Sequence, residues 1–241
     1  MPDIEKINNV AVADISKLDA VTFAHGQKVN NQDVSLVTDA HTLIATILDI
    51  STSDTAVTYA TAVHGTGGVV LDTTYDVYEF HFINIHPSTT ASILSFQVDV
   101  SGSTDYDLPI QSSAFEAENS EGGSSGGPQN RSNRTQNNET ELQQLGEYIG
   151  NTGDDNDLSG SGILTLFAPA DGTFLKHWVS TFSATGNDVE QVSYHAGYIN
   201  QGLGSHTAID KIRFAMTAND PATVQGTIES GTIKMYGIAK S

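Results

Sequence analysis

The sequence predicts an all-β chain: an antiparallel β-sandwich or jelly-roll-like body, with an extended N-terminal arm and a long polar loop carrying one short helix. Apolar and polar side chains alternate with a period of two in several runs, and turn-forming residues separate those runs. A repeat of 11 residues is confined to the start. These observations divide the chain into an arm over 1–35 and a body over 36–241, the body interrupted by a polar loop over 113–161.

In the arm, Ile4-Glu5-Lys6-Ile7-Asn8-Asn9-Val10 recurs as Ile15-Ser16-Lys17-Leu18-Asp19-Ala20-Val21. Two copies are fewer than a solenoid needs to bury its own faces, so the segment requires cover from elsewhere. An arm anchored to neighbouring subunits by Ile4, Ile7, Val10, Ile15, Leu18 and Val21 meets that need. A short hairpin lying on the chain's own body meets it too.

Strand signals begin at His41. Leu43 to Ile50 is apolar on both faces, which predicts a strand covered on both sides. Tyr75 to His86 sets Tyr78, Phe80 and Phe82 on one face, with Val77, Ile83 and Ile85 on the other. In Ile93 to Val100 the residues Leu94, Phe96, Val98 and Val100 share a core face, while Ser95, Gln97 and Asp99 are expected to meet water. Further strands are predicted over Ile163–Phe167, Phe174–Phe182, Val189–Ile199, Ile209–Met216 and Gly231–Ile238. Within the fourth of these, Ile212, Phe214 and Met216 should point inward and Arg213 outward. Turn formers such as Pro169-Ala170-Asp171-Gly172 and Asn219-Asp220-Pro221 separate them.

Over 113–161 the alternation gives way to Ser, Gly, Asn, Asp and Glu, most densely in Glu121-Gly122-Gly123-Ser124-Ser125-Gly126-Gly127. So polar a stretch buries too little surface to offset its conformational entropy, and an exposed loop is expected. Inside it, Leu142, Leu145 and Ile149 recur at helical spacing ahead of Gly150, which predicts one short helix over Glu139–Ile149.

Of 241 residues, 38% are hydrophobic, enough for a sizeable core. Acidic side chains number 29 against 10 basic ones, for a net charge of −19, and no Lys or Arg occurs between Lys28 and Arg131. Such a field repels phosphate backbones and anionic lipid, so neither nucleic acid nor membrane is an expected partner. With no cysteine, disulfides, thiolate nucleophiles and zinc–sulfur sites are excluded. The N-terminus has no basic n-region followed by an apolar stretch, and no window of about 18 apolar residues occurs. Neither a Sec leader nor a membrane span is expected.

No catalytic constellation emerges, so the chain is read as a non-enzyme without a cofactor. Gly122-Gly123-Ser124-Ser125-Gly126 spells G-x-S-x-G, but outside the strand–turn–helix context that activates its serine. The acids fall mostly in polar turns, without the apolar wall that sets a catalytic carboxylate pair apart. His81 and His86 are expected on opposite faces of one strand, which prevents joint metal ligation. Asp154, Asp155 and Asp157 have the oxygen chemistry for Ca²⁺ but lack the bidentate Glu of an EF-hand, position 166 being Leu166. A solvated acidic turn is the competing reading. The sequons at Asn130, Asn133 and Asn138 follow from an Asn-rich loop. Trp178, Tyr194 and Tyr198, if exposed, would suit stacking on sugar rings, which makes a lectin-like carbohydrate-binding sandwich the alternative function.

The tail Glu229-Ser230-Gly231-Thr232-Ile233-Lys234-Met235-Tyr236-Gly237-Ile238, following Ile209-Asp210-Lys211-Ile212-Arg213-Phe214, resembles the closing strands of β-rich structural proteins from tailed bacteriophages. Ala13-Asp14-Ile15-Ser16-Lys17-Leu18-Asp19-Ala20-Val21 resembles short N-terminal units in virion proteins of phages that infect marine and photosynthetic bacteria. Together these cover about a quarter of the chain, and neither is a catalytic signature. The resemblance implies a virion component, assembled in the host cytoplasm and displayed on a tail, baseplate or capsid surface. It also implies a trimer or symmetric ring in contact with other virion proteins. Head and tail locations stay open.

Overall fold

The computed structural model describes residues 6–7, 10–11, 28–29, 32–33, 41–47, 56–59, 71–123, 125–150, 157–186, 189–202 and 206–238. The chain divides into two compact units, Met1–Ala40 and His41–Ser241. In the first, β1 (Lys6–Ile7) pairs antiparallel with β2 (Val10–Ala11), and β3 (Lys28–Val29) with β4 (Gln32–Asp33). Ile7 stands opposite Val10. The other expected anchors, Ile4, Ile15, Leu18 and Val21, lie outside the described residues.

The second unit holds β5 (His41–Ile47), β6 (Ala56–Tyr59), β7 (Val77–Pro87), β8 (Ile93–Val100), β9 (Ile110–Ser120), β10 (Ser125–Asn130) and β11 (Asn137–Glu139). It continues with β12 (Gln143–Gln144), β13 (Gly160–Phe167), β14 (Lys176–Gly186), β15 (Val189–Ile199), β16 (Ile209–Thr217) and β17 (Ile228–Ile238). A nine-stranded antiparallel sheet runs β10-β9-β15-β14-β13-β7-β17-β5, with β11 also on β9, and a four-stranded sheet runs β12-β8-β16-β6. The fold is therefore the all-β antiparallel sandwich that the alternation predicts.

Rings from the two sheets interlock. Phe80 and Phe82 of β7 meet Phe214 of β16 at 5.2 and 5.0 Å, and Trp178 of β14 meets Phe96 of β8 at 5.1 Å, all edge to face. Each such pair contributes about 0.5–1.5 kcal/mol beyond the area it buries. Ile212, Phe214 and Met216 point inward as expected, and the Arg213 guanidinium lies 4.7 Å from the Tyr106 ring centroid.

Expectations that polar side chains face water fail on β8, where the buried polar groups hydrogen-bond to other polar groups. Ser95, Gln97 and Asp99 on β8 are buried. The Gln97 amide donates to the carbonyls of Leu108, Thr140 and Glu141 at 3.0–3.1 Å, and Ser95 shares a hydrogen bond of 2.8 Å with Thr217. Burial without such partners would cost several kcal/mol per group.

The helix over Glu139–Ile149 does not form, and no α-helix occurs among the described residues. Leu142, Leu145 and Ile149 are buried on extended chain laid along β8, with Leu145 N–H donating to Leu94 O and Ile149 N–H to Ser92 O, both at 2.9 Å. The neighbouring strand, not the chain's own preceding turn, takes these backbone groups. The stretch expected to be a loop over 113–161 instead carries strands, from β9 through β12 to the start of β13, with one 3-10 turn at Ser132–Arg134.

His81 and His86 do not point to opposite faces. Asn84 adopts φ of 50°, and the bulge resets the alternation so that Phe82 and Ile85 are both buried while Ile83 and Asn84 are not. His86 then lies beside Glu229 and donates from Nδ1 to Leu158 O, far along the strand from His81 and its partner Glu79.

Candidate functional site

The outward face of the nine-stranded sheet is ordered in cross-strand rows. One row runs Asn130, Phe115, Tyr194, Thr181, Ile163, His81, Lys234. The next runs Ser113, Ala196, Val179, Thr165, Glu79, Tyr236, Leu43. Glu79 and Lys234 supply the only carboxylate and ammonium of these two rows, on a chain with 29 acidic residues. Phe115 is 53% and Tyr194 42% exposed, and their rings stack at 4.9 Å with planes 13° apart. Beside them lies an open depression of about 490 Å³. At the other end, the imidazoles of His41 and His81 each meet Glu79 Oε2, at 3.1 and 3.0 Å, with Tyr236 against both rings.

Beneath the same strands the interior is charged. Glu116 points inward from β9, and the Arg131 guanidinium forms ion pairs with Glu116 and, at 3.2 Å, with Glu147. Arg134 grips Glu147 with two hydrogen bonds of 2.8 and 2.7 Å and reaches Asn219 at 2.6 Å. Burial and the adjacent Glu147 carboxylate push the Glu116 carboxyl up to about 7. His195, inward on β15, is held down at about 4 by burial, against the pull of Glu147. Around this cluster Ser112 donates to Gln143 at 2.6 Å, Gln143 to Arg134 O at 3.0 Å, and Gln144 to Ala218 O at 2.8 Å.

This arrangement inverts β9 and β15. Between the buried Ile110, Ala114 and Ile199 their inward positions carry Ser112, Glu116, Ser193 and His195, while their outward positions carry Phe115 and Tyr194. Sequence reasoning passed over Phe115, Glu116, Arg131, Arg134 and Glu147 because all five fall in the stretch read as a loop. The available signal was the period of two from Ile110 to Glu116, whose buried phase carries Ile110 and Ala114 together with Ser112 and Glu116.

The expected sugar contacts separate. Trp178 is 0% exposed and packs on Phe96, so its indole is core and cannot meet a ligand. Tyr194 is on the surface in the stacked pair, and Tyr198 is half-buried with its ring 6.0 Å from His177. Asp154, Asp155 and Ser124 lie outside the described residues, and Asp157 is exposed. Among the described residues no group of three His, Asp or Glu side chains is disposed to hold a metal ion.

Comparison of the chain with family models, with curated proteins and with solved structures finds no match.

Proposed function

We propose that the chain is a structural component of a tailed-phage virion, exposed on the tail, baseplate or capsid and held among copies of itself and other virion proteins by its N-terminal arm. The observation that carries this reading is the division of the chain into the compact units Met1–Ala40 and His41–Ser241, the described ladders of the first having only two residues per strand. Ladders of that size are not stable alone in water, so the apolar positions of the repeat gain most when a neighbour covers them. Each such side chain contributes on the order of 2 kcal/mol when fully buried. The body serves as a rigid module: its core is filled by interlocking rings, and Glu116, Arg131, Arg134 and Glu147 are engaged with one another in its interior.

Light scattering on the full chain tests the reading. The wild type should have the mass of a discrete oligomer, and the fourfold variant Ile4→Ser, Ile7→Ser, Ile15→Ser, Leu18→Ser should fall to a monomer with the melting of the body unchanged. A monomeric wild type, or a variant that keeps the oligomer, overturns it.

A further inference from the structure

We propose that the depression beside Phe115 and Tyr194 is a binding site for a neutral saccharide, independently of how the chain assembles. Along β9, β15 and β14 its floor is Ser113, Ala196 and Val179, two of them small. On one side stand Phe115, Tyr194 and Thr181. Small side chains beside the stacked rings make a trough, and its volume of about 490 Å³ is that of a small-molecule site.

The chemistry of the lining selects the ligand. Hydroxyls come from Ser113, Thr181 and Tyr194, an amide from Asn130, and apolar surface from the stacked rings and Val179. No carboxylate, ammonium or guanidinium lines the trough, although the chain as a whole carries −19. An anionic ligand meets repulsion from the whole molecule, and a cationic one finds no local partner. A neutral pyranose offers an apolar C–H face to a ring and hydroxyls to hydroxyls, which matches both features.

The inversion of β9 and β15 gives the site its cost. A slip of one residue would bury Phe115 and Tyr194 and expose Glu116 and His195, the ordinary arrangement. The chain instead holds two large rings in water above buried charge, a local conflict of the kind found at functional sites.

The test is calorimetric titration of the full chain with hexaoses of glucose, galactose and mannose, and with a uronic-acid hexaose as the charged control. At least one neutral series should bind, and Phe115→Ala and Tyr194→Ala should each weaken it tenfold or more with unchanged melting. Ala196→Trp, which fills the trough and keeps both rings, should abolish binding, while Tyr236→Ala on the same face should leave it intact. Absence of neutral binding at millimolar ligand, preference for the uronic hexaose, or equal loss in Tyr236→Ala overturns the proposal. So does a fall in solution mass on Phe115→Ala without a change in sugar binding, which would assign this face to a second copy of the chain.

Discussion

Glu116 and His195 give the stability of the sandwich two opposed dependences on pH, which single substitutions should separate. The Glu116 carboxyl rises from 4.5 to about 7 on folding, so the native state holds a proton that the unfolded chain has lost. Its contribution is complete below pH about 4.5 and disappears as pH rises through about 7. His195 falls from 6.5 to about 4, so the native state refuses a proton that the unfolded chain takes. Its contribution is complete above pH about 6.5 and disappears as pH falls through about 4. Each displacement corresponds to on the order of 3 kcal/mol, with a slope of about 1.4 kcal/mol per pH unit. Between pH about 5 and 6.5 the two slopes cancel in the wild type. Glu116→Gln leaves His195 alone, and unfolding free energy should then rise with pH relative to wild type by about 1.4 kcal/mol per unit. His195→Gln should make it fall by the same amount, and the double variant should parallel the wild type. Urea unfolding at four pH values in this window measures the slopes, which do not depend on the absolute stability lost by each variant. Parallel lines for all four proteins would refute the assignment of buried, oppositely displaced protons.

Two further substitutions probe the same region. Arg134→Ala leaves the Glu147 carboxylate buried without its two strongest hydrogen bonds and should cost about 3–5 kcal/mol, read as a lowered urea midpoint; adding Glu147→Met should recover part of that loss. Gly197→Ala would set a methyl 2.3 Å from Gln111 O and 2.9 Å from the Trp178 ring, so it should destabilise by about 3 kcal/mol, whereas Gly127→Ala, with open space around it, should stay within about 0.5 kcal/mol by the same assay.

Where β-branched, aromatic and other apolar residues recur between turn formers, the positions of the strands were legible in the sequence, although not always which face is buried. Ile93–Val100 and Val189–Ile199 are strands with the predicted ends, and Ile163–Phe167 and Gly231–Ile238 form the latter parts of β13 and β17. The legibility of β7 stops at the bulge, because a left-handed Asn84 shifts the period and nothing in the order of residue types announces it. The stretch over 113–161 was illegible for a different reason. Its side chains read as solvent-seeking one at a time, and they become interior only as a set: Ser112 needs Gln143, Gln143 needs the Arg134 carbonyl, and Arg134 needs Glu147. Those partners are separated by up to 31 residues along the chain, beyond any local periodicity.

The site inherits the same difficulty, and the inversion explains why. A strand pair that buries apolar residues fixes its register by the hydrophobic effect, but β9 and β15 would gain apolar burial by slipping one residue. Something other than apolar area must hold them in place. The eleven matched pairs from Val189–Ser120 to Ile199–Ile110 supply continuous backbone hydrogen bonding, and Glu116 makes a buried polar contact with Arg131 that only the observed register can satisfy. The buried cluster therefore acts as the register pin for the outward Phe115–Tyr194 stack. On this argument Glu116 and Phe115, adjacent in sequence and on opposite faces, are two halves of one arrangement: the buried polar contact fixes which way the strand faces, and the ring is what that choice puts on the surface.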